Sequence, residues 1–248
     1  MAVSQLVALN CRMKRGLKLN IFFLLILAVI SGCAHLRPGP PVTRKEVLAA
    51  ARAYANHAWR GGAANVFHGL DKAGVWIDTP DADFWGQGGW HADGHTNNGV
   101  PYCWNGASTL AEFDEGLRRG RPAGYLFKGP RKPHGDSALP VGVDCSGLVS
   151  CCWRLHSRRS TYDIGEICQQ LPNYEDLRPG DAVNKPFNHV ILFEGWADAG
   201  HQKMRVLEAG HAGKDDDPAY YTRVHEDVYD RDWLLKHGFV ALRYKEIR

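Results

Sequence analysis

At 248 residues, with 44% hydrophobic and 23% charged side chains, the chain has ordinary globular composition and length for one main core. Its formal net charge of +3 overstates its basicity: Arg12, Lys14, Arg15 and Lys18 stand in the first 32 residues, which hold no acid, and the remainder carries 26 basic against 27 acidic residues. A net of −1 over residues 33–248 removes the electrostatic footprint of a nucleic-acid binder.

The chain opens with a targeting segment. Lys14, Arg15 and Lys18 precede the apolar run "IFFLLILAVI" at 21–30 and the small-residue exit "SGC" at 31–33, the pattern of a signal peptide over residues 1–32. A buried hydrophobic helix is the alternative, but nothing amphipathic flanks the run. Met13 offers a second start with a tighter basic region. Ile30-Ser31-Gly32-Cys33 resembles a bacterial lipobox, which implies cleavage before Cys33 and a lipid thioether on its sulfur, hence a membrane-anchored lipoprotein. Ala34 is not the aspartate that retains such lipoproteins in the inner membrane, so the resemblance implies an exported protein on the periplasmic face of the outer membrane, or one anchored at the cell surface.

Residues 33–42, with Pro-rich "AHLRPGPPV" after the cysteine, read as a tether. A capping box at 43–46, "TRKE", opens a helix expected to reach Trp59 and stop at Gly61 and Gly62. Residues 66–106 read as long loops with short structured pieces, ordered by Trp76, Trp85, Trp90 and Trp104. Ser108 or Thr109 caps a second helix through about Arg119, ended by Gly120, and Asp144 caps a third from Cys145 to about Leu155. "FNHVILFEGW", "MRVLEA", "YYTRVHED" and "FVALRY" then read as strands. Helices followed by antiparallel strands make the fold class α+β, with an N-terminal helix and loop-rich extension at 43–100 ahead of a main domain at 101–248.

Five cysteines remain beyond the leader and Cys33, an odd number for an oxidising compartment, and no C-x-x-C spacing suggests zinc. A thiolate at the first turn of a helix is favoured by the positive end of the macrodipole, which singles out Cys145; Cys151 and Cys152, nearly two turns further in, read as core. A nucleophilic thiol needs a base, and the candidate is His189, opening an apolar strand after a Pro-Gly-Asp turn; taken alone it reads equally as a satisfied strand-end histidine. A competing constellation is "HADGH", with His91, Asp93 and His95 near His68 and Asp71, which offers metal-ligand types on an extended loop; the bland reading is a turn-rich segment.

"VDCSGLVSCCW" resembles the nucleophile motif of the NlpC family of papain-like cysteine peptidases, and "DLRPGDAVNKPFNHVILFEG" resembles that family's L-x-P-G-D, spacer and H-V strand. The two motifs stand in the family's order, 44 residues apart from Cys145 to His189. The resemblance implies a papain-like domain of helices on an antiparallel sheet, and a third catalytic side chain on the next strand. There "VLEAG" offers Glu208 where the family usually has His, sometimes Asn or Gln; His211 competes for the role. It further implies a tyrosine near the developing oxyanion, matched by Tyr102 in "PYCWNG" with Asn105 in place of a glycine, and oxyanion or substrate-binding roles around Asp144 and Ser146. Tyr102 lies 43 residues before Cys145, more than the family uses, so an insertion at about 107–141 bordering the groove is expected; a merely structural tyrosine is the alternative. The implied activity is hydrolysis of peptidoglycan stem peptides, at the γ-D-glutamyl-diaminopimelate bond, through a thioester and without metal or organic cofactor. The implied partners are that peptide and the membrane holding Cys33. The other readings are a non-cutting wall-binding module and a metal-dependent hydrolase.

Overall fold

The computed structural model describes residues 39–82, 89–126, 133, 135–212 and 221–248. The leader, the lipobox with Cys33 and the tether up to residue 38 lie outside the described residues. Among those described, no helix is long and apolar enough to cross a membrane.

Helix α1 (Arg44–Ala55) begins at Thr43, whose hydroxyl accepts from the Glu46 N–H while Glu46 Oε2 accepts from the Thr43 N–H, the capping box the sequence announces. Val47, Ala51, Tyr54 and Ala55, spaced at four, three and one, form its buried face. It ends four residues before Trp59. Strand β1 (Ala58–Arg60) begins there instead and pairs with β4 (Thr96–Asn98), and the Trp59 indole, buried against Trp90 and Phe113, donates to Gly99 O at 2.9 Å. The apolar spacing through Trp59 is therefore real, but a strand buries it. A second ribbon, β2 (His68–Leu70) with β3 (Trp76–Asp78), supplies the short structured pieces expected in this region.

Helix α2 (Leu110–Arg118) is capped by Thr109 and Glu112 and closed by Gly120 at φ 68°, with Arg121 N–H on Gly116 O. Phe113 enters the core beside Trp59, and Asn65 Nδ2 donates to Leu117 O and Arg121 O. The segment at 107–141 is thus built into the residues before it, and residues 38–248 form one compact unit.

Helix α3 (Cys145–Cys152) ends three residues before the expected Leu155. Arg154 takes the left-handed conformation at φ 55°, while the N–H groups of Arg154 and Leu155 bond Cys151 O and Ser150 O, so a Schellman turn closes the helix without a glycine to announce it. The helix lies on a six-stranded antiparallel sheet ordered β5 (Cys168–Gln170), β10 (Val240–Tyr244), β6 (Ala182–Lys185), β7 (His189–Trp196), β8 (Lys203–Ala212), β9 (Tyr221–Asp230). Alternation along β7 divides the interior: Val190 and Leu192 join the helices, and Ile191 and Phe193 join a second cluster with Leu234 of the short helix α4 (Arg231–Lys236). The class is α+β, as expected. Asp181, fully buried at the Pro-Gly-Asp turn, accepts from Arg44 at 2.9 Å and from Arg243 Nη2 at 2.7 Å, tying α1 and β10 to the turn that launches β6.

Gly147 answers to close approach. A Cβ there would stand 1.9 Å from Gly106 O, because the 102–106 segment crosses the first turn of α3. Gly147→Ala is expected to lower stability by about 1–3 kcal/mol, read as a shift in urea midpoint. Gly165→Ala, with no heavy atom within 4 Å of the new carbon, should leave the midpoint in place.

Candidate active site

Cys145 is the first residue of α3, and its position is set by the residue before it. Asp144 Oδ1 accepts from Gly147 N–H at 2.6 Å and Ser146 Oγ at 3.0 Å; Oδ2 accepts from Asn105 N–H at 3.0 Å and from Arg158 Nη2. The same arginine donates to Ser146 Oγ at 3.0 Å. Asp144 and Ser146 are therefore buried and turned inward, holding the helix start and its two flanking loops.

The backbone just before α3 also fixes Tyr102. Residues 100–103 bridge β9 and Val143: Tyr102 N–H donates to Thr222 O at 3.0 Å, and Tyr102 forms a parallel bridge with Val143. Burial raises its phenol pKa above the ordinary value, and the charges of Cys145 and Asp144 raise it further, so the 43-residue separation in sequence closes to adjacency. The intervening chain leaves and returns through Ala107, Ala123 and Val141, which bridge the same strand-like segments.

His189 opens β7 opposite Lys185, across a hairpin turn at 186–188. Its side chain, 23% exposed, is hydrogen-bonded through Nε2 to Glu208 Oε2, and Cys145 lies near enough to bear on its ionisation. Burial by itself would depress the imidazolium; Cys145 and Glu208, with their charges, outweigh it and raise the pKa from 6.5 to about 10. Glu208 is 2% exposed. Burial disfavours its carboxylate, but His189, the nearby His225 and a hydrogen bond from Tyr229 reverse the balance and lower its pKa. Tyr229 Oη donates to Glu208 Oε1 at 2.9 Å, leaving Oε2 to His189. Gly210 keeps the pair uncrowded, since a Cβ there would lie 3.2 Å from Glu208 Oε2 and 3.6 Å from His189 Cε1.

Of the four residues read from sequence as nucleophile, base, orienting group and oxyanion-side tyrosine, His189 and Glu208 are in direct contact, and Cys145 lies near enough to bear on the ionisation of both His189 and Tyr102. His211 lies in β8 opposite Thr222, and its side chain is not among those described. The sequence reading missed Arg158, Tyr229 and His225. The last two carried a signal: alternation along β9 puts His225, Asp227 and Tyr229 on one face, and His225 stands directly opposite Glu208.

Cys103, Cys151, Cys152 and Cys168 are unpaired, and burial raises the pKa of every one of them, to about 12 at Cys168. Cys151 donates to Ala107 O at 3.4 Å. The loop candidates for a metal do not converge: His95 pairs with Asp93 at 2.7 Å, His91 lies 6.2 Å from His95 ring to ring, His68 sits between Asp78 and Asp81, and Asp71 accepts from Ser137.

Compared with protein-family models, curated proteins and solved structures, the chain matches none. The site's own geometry makes a pH prediction. A base raised in the folded state contributes stability that is complete below the unfolded value near 6.5 and is lost as pH rises through about 10. The lowered Glu208 contributes above the ordinary carboxylate range and loses that contribution as pH falls through its own value. Glu208→Gln should bring the His189 titration down by more than about one pH unit, followed through its imidazole Cε1–H resonance.

Proposed function

We propose that this chain is a cysteine peptidase of the NlpC type, with a papain-like arrangement of helix and sheet, hydrolysing amide bonds in peptidoglycan stem peptides. The observation that carries the reading is the run Cys145, His189, Glu208: a thiol at a helix N-terminus, an imidazole near enough for the thiol to bear on its ionisation, and a buried carboxylate bonded to that imidazole.

In this reading His189 holds the proton from Cys145, and the thiolate attacks the amide carbonyl. The Cys145 backbone N–H and the Tyr102 hydroxyl stabilise the oxyanion. His189 then delivers the proton to the leaving amine, and water, deprotonated by the same imidazole, opens the thioester. Glu208 fixes the ring and stabilises its charged form, a stronger influence than a neutral third residue would exert. Tyr162 tilted against Phe187, with ring centroids 4.6 Å apart and Phe187 80% exposed two residues before His189, gives the rim an apolar ledge for substrate. The bond we assign is that between γ-D-glutamyl and diaminopimelate. Anchoring through Cys33 on the periplasmic face of the outer membrane would set the site against its polymer.

Isolated stem peptides incubated with the purified chain should yield products cut after the γ-D-glutamyl residue, detected by mass spectrometry. Cys145→Ala and His189→Ala should lower kcat by about 10⁴-fold or more, and Tyr102→Phe by about 10²-fold. Intact peptides after exposure to a folded parent would overturn the substrate assignment; undiminished cleavage by Cys145→Ala would overturn the mechanism.

A further inference from the structure

Behind the catalytic pair, on the outer strands of the sheet, Glu208 also belongs to a cluster whose other two members the proposed reaction does not use. Glu208, His225 and Asp227 offer donor atoms that all lie within 4.8 Å of one another, the one such group of three among the described residues. It is more than a collection of acids. His225 is 6% exposed, and its Nε2 has no hydrogen-bond partner. That atom points at the two carboxylates, 3.5 Å from Glu208 Oε1 and 4.0 Å from Asp227 Oδ2.

The other ring nitrogen explains why. Nδ1 lies 3.0 Å from Arg223 O, and because a carbonyl only accepts, Nδ1 is the donor. In the neutral ring Nε2 then carries a lone pair facing two carboxylates, an arrangement that repels until a proton or a metal cation stands between them, and the space that opens to solvent at Asp227 admits the second. Metal-ligating histidines are held in this way, with the remote N–H on a backbone carbonyl that fixes tautomer and ring orientation. Asp227 is likewise prepared: its Oδ1 accepts from Val228 N–H at 2.6 Å, which leaves Oδ2 toward His225, and its 44% exposed side chain opens the cluster to solvent. Sheet register makes the arrangement stiff, since Glu208 and His225 are direct cross-strand partners and Asp227 is two residues along the same face.

We infer that Glu208 Oε1, His225 Nε2 and Asp227 Oδ2 form a binding site for one divalent cation of the zinc class. One imidazole and two carboxylates suit a borderline transition ion, and bonds of about 2.0–2.2 Å require the three donors to draw together by only a fraction of their present separations. Water completes the coordination on the open side. The consequence, which rests on the peptidase reading, is regulatory: a cation on Oε1 competes with His189 for the charge of Glu208, so metal occupancy weakens the hold on the base.

The test reads binding, so it holds whether or not the chain cuts peptides. The Cys145→Ala chain, which removes the catalytic thiol as a rival ligand, is titrated with zinc chloride against a fluorescent chelator. One equivalent is expected, with cobalt chloride giving visible absorption from the same site. Asp227→Asn and His225→Gln should each weaken zinc binding at least about tenfold with unchanged circular dichroism; Asp227, being half exposed, is the variant least able to disturb folding. Absence of a bound equivalent, equal affinity in Asp227→Asn, or zinc bound by the parent and lost in Cys145→Ala would overturn the site.

Discussion

The structure depends on one buried carboxylate. Asp144, 4% exposed, receives two hydrogen bonds on each oxygen: from the first turn of α3 on one side, and from the 102–106 segment and Arg158 on the other. A charge at that depth is costly unless paired and fully bonded, so the elements that satisfy it are held in fixed relation. They are the elements that matter: the helix whose first residue is Cys145, the strand-like piece that carries Tyr102, and the loop of Arg158. Gly147 belongs to the same constraint, since Asp144 brings Gly106 against the helix so closely that no side chain fits between them.

The sheet adds the second half of the site by register alone. His189 is the first residue of β7 and Glu208 lies on the neighbouring β8, so both project at one end of the strand pair, and β9 brings Tyr229 against the far oxygen of Glu208. A buried Glu208 would be a liability by itself. It is tolerable because a protonated imidazole, a phenol and a second imidazole surround it, and the same neighbours keep it ionised and committed to His189.

Much of this was legible in the sequence, for local reasons. Thr43 with Glu46 and Thr109 with Glu112 announced two helix starts, Gly120 announced a stop, and Asp144 announced the cap of α3. What failed was also local: α3 ends at a left-handed arginine that no pattern marks, and α1 stops before Trp59 because the strand pair at 58–60 and 96–98 buries that indole at the same spacing a helix would use. Cys145 and His189 could be read from their motifs, and Glu208 from its place on the next strand. Arg158 could not, because its partner is reached only after the chain turns back from the end of α3. His225 and Tyr229 needed the register of β8 against β9, which connects residues across a long hairpin and is set by pairing rather than by either strand's own pattern.

The central claim is that Cys145, alone among the five described thiols, works with a base, His189. Its most direct test is competitive labelling of the folded chain with limiting iodoacetamide at mildly acidic pH, mapped cysteine by cysteine by mass spectrometry, in the parent and in His189→Ala. The account predicts that Cys145 is alkylated well ahead of Cys103, Cys151, Cys152 and Cys168, and that this lead collapses when His189 is removed. Labelling of Cys145 no faster than that of Cys151, or a lead that survives in His189→Ala, would contradict it.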